Sequence, residues 1–115
     1  MSEAGRDRLR VTTGAPWEDL VAYRRAVRVG DQVFVAGTVA VDDAGQPFAP
    51  GDAGAQASRC LEIIAQALEK AGSHISHVVR TRLFVIDMSL ETQRAVGQAH
   101  RKVFADFPPA CSMIG

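Results

Sequence analysis

Tyr23-Arg24-Arg25-Ala26-Val27-Arg28-Val29-Gly30-Asp31-Gln32-Val33-Phe34-Val35-Ala36-Gly37-Thr38 is the stretch on which the fold turns. Up to Val29, polar and apolar residues alternate with the period of a strand that buries one face. Gly30-Asp31 reads as a two-residue turn, and Gln32 to Ala36 is a β-branched and aromatic run, so the segment predicts a β-hairpin. Its arms carry apolar groups on both parities, which predicts a second apolar sheet face. Gly37-Thr38 interrupts the second arm, where a bare backbone admits a bulge or a ligand. Val39 to Val41 continues that arm to a turn at Asp42-Asp43-Ala44-Gly45.

Upstream, Arg8 to Thr13 alternates as a further strand closed by Gly14-Ala15-Pro16. Trp17 to Ala22 reads as irregular or a short turn, and Met1 to Asp7 as a polar, flexible end. Downstream, Asp52 to Ala71 is the clearest helix: Asp52 caps it, Gly72 stands where a left-handed residue ends it, and Ala57, Leu61, Ile64, Leu68 and Ala71 form one stripe. Val78 to Ile86 is the strongest strand, with Val79, Leu83 and Val85 on one face and Arg80, Arg82 and Phe84 on the other. A second helix runs from Leu90 to Ala105 behind a Ser89 cap, with Val96, Ala99 and Val103 inward. Pro108-Pro109 ends it, and Ala110 to Ile114 opens a last strand.

Strand–helix–strand over Val33–Val41, Asp52–Ala71 and Val78–Ile86 predicts a crossover with parallel pairing. The expected fold is therefore α/β, a mixed sheet with two helices on one face, in a single domain over residues 1–115. The helices leave the other sheet face uncovered, and packing against identical copies is the simplest cover.

Composition narrows the function. Hydrophobic residues make up 47% of the 115 and charged residues 23%, which excludes a wholly disordered chain. Thirteen Lys and Arg balance thirteen Asp and Glu, so no global field holds a polyanion and a nucleic-acid-coating role is disfavoured. No apolar run approaches the ~20 residues of a membrane span, and no apolar leader stands at the amino terminus. Two cysteines, Cys60 and Cys111, form no disulfide framework, so the expected location is the cytoplasm.

Taken together, several of these pieces resemble one family. Tyr23 with Ala26-Val27 and Gly30, then Val33-Phe34-Val35-Ala36-Gly37-Thr38, is similar to the first hairpin of the RidA/YjgF reactive-intermediate deaminases. Gly54-Ala55-Gln56-Ala57 resembles that family's first helix, His77 to Met88 its central strand, and Phe104 with Phe107-Pro108-Pro109-Ala110 the approach to its active-site strand. The resemblance implies the chorismate mutase-like fold, a homotrimer with sheets around a central barrel, and clefts at subunit boundaries. It implies a metal-independent deaminase: an arginine after the Pro-Ala step grips a 2-imino acid, and a glutamate on the last strand positions the attacking water.

The carry-over is partial. Tyr23 matches the cleft tyrosine and Gly37 the glycine at which the backbone approaches substrate. Cys111 stands at the arginine position, Gly97 at that of a helical asparagine, and the glutamate-bearing strand has no counterpart before Gly115. Tyr23, Gly37, Thr38, Cys111 and Met113 are the residues expected to line each cleft around a small organic ligand; no catalytic base is named, and no cofactor or metal is expected.

Blander readings stand beside these. Tyr23 also suits a plain interface, and Cys111 is either a small apolar filler or a nucleophile whose pKa is lowered by His100 or a neighbouring arginine. His74, His77 and Asp87 are too few for a metal site and read as solvated turn residues. Arg24, Arg25 and Arg28 form either an anion-binding or RNA-contacting patch with Arg80 and Arg82, or Arg24 and Arg28 point one way on a strand and pair with acids across a subunit boundary. Trp17 with Glu18 is either a lid over a cleft mouth or simple packing. A non-catalytic metabolite binder is the main alternative function, with an RNA-directed role behind it.

Overall fold

The computed structural model describes residues 8–115; the flexible end expected at Met1–Asp7 lies outside the described residues. The hairpin forms as its sequence predicts. Val29 pairs with Gln32 across a two-residue loop, and Gly30 takes φ +58°, a conformation that an L side chain strains to adopt. Strand β2 (Ala26–Val29) thus lies antiparallel between β1 (Arg8–Val11) and β3 (Gln32–Val35).

Between β1 and β2 the chain forms α1 (Pro16–Val21), where an irregular segment or turn was expected. Pro16 at the first helical position sets φ for a helix start, and Glu18 and Asp19 suit the positive end of its dipole. Glu18 then fixes the helix in place. It is only 2% exposed, and its carboxylate accepts from Thr12 Oγ1 at 2.8 Å, Thr13 N–H at 3.1 Å and Thr13 Oγ1.

Helix α2 (Ala53–Lys70) starts at Asp52, whose side chain accepts from the Ala55 N–H at 3.0 Å, and ends before Gly72 at φ +77°. Its stripe buries Leu61, Ala67, Leu68 and Ala71. Ala67 and Ala71 meet Val11 and Ala26 of the sheet, with Val33 and Val35 packed alongside. Burying a leucine side chain contributes ~1.5–3 kcal/mol. Helix α3 (Leu90–Phe104), capped by Ser89, packs on α2 and buries Val96, Ala99 and Phe104. The helices come close at Gly54, where a Cβ would stand 3.3 Å from the Ala95 carbonyl oxygen.

A 3-10 turn over Ile75–His77 leads into β4 (Arg80–Phe84), and α3 carries the chain to β5 (Ala110–Ile114). β4 and β5 pair in parallel, from Arg80 opposite Ala110 to Phe84 opposite Ile114. Parallel pairing by crossover is thus realised over α3, not over α2 as expected. β3 and β4 share no ladder among the described residues, so the strands divide into an antiparallel sheet of three and a parallel pair. The second hairpin arm stops at Val35; beyond it Thr38 Oγ1 donates back to the Ala36 carbonyl, and the single bridge Val41–Pro47 closes a loop before α2. Val79 precedes β4 and is 80% exposed, so it does not join Leu83 on the inner face. Both helices lie on one side of a mixed α/β arrangement. On the outer side Phe34 is 58% and Phe84 72% exposed, and Arg80 and Arg82 share the exposed face of β4 with Phe84.

Candidate functional site

The five expected cleft residues fall into two groups: Tyr23, Gly37 and Thr38 in loops that flank the β2–β3 hairpin, and Cys111 and Met113 on β5. Tyr23, half-buried, follows α1 and donates its N–H to the Glu18 carbonyl at 2.8 Å. Gly37 and Thr38 follow β3: the Gly37 carbonyl accepts from Arg25 Nη2, and the Thr38 carbonyl faces Cys60 Sγ at 3.5 Å. Burial pushes the Cys60 thiol up, against the pull of Arg25 and Arg59, so it stays protonated at neutral pH. Arg25 Nε is buried with no partner among the described residues.

Cys111 and Met113 lie on β5, opposite Thr81 and Leu83 of β4. Cys111 is exposed and opens onto a cleft of about 310 Å³ lined also by Gly97, His100, Arg101, Phe104 and Pro108. Two of the departures from the pattern that the resemblance implies, Gly97 and Cys111, therefore meet in one cleft. His100 is the most constrained polar group there. Its Nε2 lies 2.8 Å from Thr81 Oγ1, and its ring stacks, tilted, 4.5 Å from that of Phe104. Burial lowers its pKa below the ordinary imidazole value, which leaves it neutral at pH 7.

Sequence reasoning set His100 only beside Cys111 and passed over Thr81 and Arg101. A signal for Arg101 was present, since Gly97, His100 and Arg101 stand at i, i+3 and i+4 and must share one helix face. Arg101 bonds to no acid among the described residues. A smaller hollow of about 170 Å³ lies at Asp42, Asp43, Phe48 and Arg59, where Arg59 already bridges Asp43 and Glu62 at 3.2 and 3.1 Å.

The arginine cluster is committed within the chain. Arg24 pairs with the exposed Asp19 of its own chain at 3.0 Å. Arg28 donates to the Gly30 and Ala71 carbonyls, both at 2.9 Å, and Arg25 to that of Gly37. Glu18 is turned into the Thr12-Thr13 strand end, so it takes no part in a lid. His74 Nδ1 and His77 Nδ1 bond to Ser76 and Ser73 beside them. Asp87 is turned onto Ser89 and Thr92, whose hydrogen bonds hold its carboxyl below the usual range.

Comparison with known proteins agrees with this architecture. Residues 13–115 match the family model described as endoribonuclease L-PSP. The chain is 34% identical over 105 residues to the uncharacterized protein SCO2049 of Streptomyces coelicolor, covering 91% of this chain and 76% of that protein. It is 30% identical over 88 residues to the RutC family protein PYRAB12510 of Pyrococcus abyssi, covering 76% and 68%. The crystal structure of Rv2704 from Mycobacterium tuberculosis, described as a member of the YjgF/YER057c/UK114 family, superposes with a TM-score of 0.80 at 38% identity, over 93% of this chain and 82% of that one. The hairpin, the two helices and the parallel pair are thus those of a known line, and the chain belongs to the YjgF/YER057c/UK114 family, the RidA/YjgF proteins matched by the endoribonuclease L-PSP model.

Proposed function

We propose that this protein works in the cytoplasm as a homotrimer whose intersubunit clefts bind a small organic molecule and hydrolyse an activated C=N bond without a metal. The observation that carries the reading is the division of the expected cleft residues. Tyr23 lies in the loop before β2, Gly37 and Thr38 in the loop after β3, and Cys111 and Met113 on β5, whose sheet shares no ladder with that of β2 and β3 among the described residues. A neighbouring copy is the simplest source of the missing wall, and the exposed Phe34 and Phe84 suit burial between copies.

Tyr23 orients the substrate, backbone groups near Gly37 and Cys111 hold its polar end, and water is the nucleophile. An imine carbon is already electrophilic, so this chemistry calls for no Lewis acid. With Cys111 at the arginine position, the substrates are those that need no strand-borne guanidinium to hold a carboxylate.

Ammonia release from a panel of freshly generated imines and enamines tests the reading, with Cys111→Arg as a second arm. Release above the spontaneous rate supports it, and Cys111→Arg is expected to widen the range toward 2-imino acids. The specific observation favouring the alternative, a metabolite binder without turnover, is that Gly97 and Cys111 stand in one cleft at two positions where the family pattern has polar groups. Saturable binding of the same compounds with no ammonia released decides for that alternative. An RNA-directed role has less support, because Arg24, Arg25 and Arg28 are already bonded.

A further inference from the structure

We infer that His100 is the general base of the Cys111 cleft, and that Thr81 is the positioning residue that presents it to the attacking water. This rests on the hydrolytic reading above, which names no base. Nε2 is engaged by Thr81 Oγ1 at 2.8 Å and the ring is stacked on Phe104, so the imidazole is fixed in both position and tilt. When Nε2–H donates to the threonine oxygen, the lone pair of Nδ1 is left free, and Nδ1 has no partner among the described residues. Thr81 is also the register partner of Cys111 on the neighbouring strand, which puts the held ring and the cleft floor on one face.

Cys111 from β5 and Arg101 from its own helix are the titratable groups that line the cleft with His100; no side chain of α2 lines it. Burial is the whole cause of the lowered imidazole pKa, so the free base is the form present near neutrality.

The step balances without a further reactant. Water bonds through oxygen to the C=N carbon, the π pair passes to nitrogen, and Nδ1 takes a proton from the water and delivers it to that nitrogen. A second transfer through Nδ1 carries the hydroxyl proton to the amine as the C–N bond breaks, C=O forms and ammonia leaves.

The test is ammonia release as a function of pH for the wild type, His100→Gln, Thr81→Val and Cys111→Ala, with His100→Ala assayed with and without added imidazole. Wild-type kcat/KM is expected to rise with pH through an apparent pKa below ~6.5 and then level. His100→Gln is expected to lose ~10²-fold or more and to flatten that limb, and imidazole to restore part of the His100→Ala rate. Thr81→Val is expected to move the limb, and Cys111→Ala, at whatever rate, to retain an acidic limb because the base is untouched. Wild-type rate and profile in His100→Gln overturn the assignment and leave hydrolysis standing. A wild-type profile with no acidic limb overturns it without any variant, should the variants fail to fold. A covalent adduct on Cys111, with activity lost in Cys111→Ala, overturns the water route. No ammonia from any imine overturns both this inference and the reading on which it rests.

Discussion

At the scale of single residues, Glu18 shows how a buried charge becomes a fixture. Burial alone pushes its pKa up, but hydrogen bonds from Thr13 and Thr12 outweigh that, with help from Arg24, and the net shift is downward. A folded-state pKa below the unfolded value gives stability that is complete above ~pH 4.3 and drains away as pH falls through the folded value. Glu18→Gln is therefore expected to cost ~1.5–3 kcal/mol at pH 7, the worth of a charge-assisted bond. It is also expected to show a shallower acid loss than the wild type, read from urea midpoints between pH 3 and 7. Equal midpoints at pH 7 would mean that the three donors find water as readily as the carboxylate. None of this was legible in sequence, where Glu18 stood in a segment expected to be irregular; only Pro16 and the adjacent acids hinted at the helix that turns it inward.

At the scale of elements, the two helices were the most readable part of the chain. Their caps, Asp52 and Ser89, and the left-handed Gly72 act within one turn, and their stripes act by contact at three and four residues, so local sequence carries them in full. How the helices meet was less legible. Gly54 leaves no room against the Ala95 carbonyl, so it sets the distance between α2 and α3. Gly54→Val is expected to destabilise by ~1–3 kcal/mol through overpacking, despite the entropic gain of replacing a helical glycine. Thermal unfolding checks this; a raised Tm would show that the helices can part at little cost. The strands read correctly in order and in the hairpin pairing, but β4 was expected beside β3 and lies beside β5. Alternation announces a strand and its faces, yet carries no record of which edge lies beside it.

At the scale of the whole molecule, the core is thin. Among the described residues few large apolar side chains are buried, Leu61, Leu68 and Phe104, and the rest of the core is alanine and valine. Large apolar groups lie outside instead, Phe34 and Phe84 among them. Assembly would add the burial that one chain lacks. Phe34→Lys and Phe84→Lys together are expected to shift the sedimenting species from an oligomer to a single chain, with a lowered Tm that depends on concentration in the wild type alone. An unchanged sedimentation coefficient would show that assembly uses a different face.

Local sequence was enough for the hairpin with its Gly30 turn, both helices with their caps, a last strand at Ala110–Ile114 and the family resemblance. Each depends on neighbours a few residues apart, where spacing is a direct physical constraint. Only the tertiary structure decided that β4 takes β5 as its partner and not β3, that the arginines are spent on carbonyls of their own chain, and that Gly97, His100 and Cys111 open on one cleft. Those outcomes join residues far apart along the chain. They arise from competition among all the surfaces that folding brings into reach, and no local pattern records which of them wins.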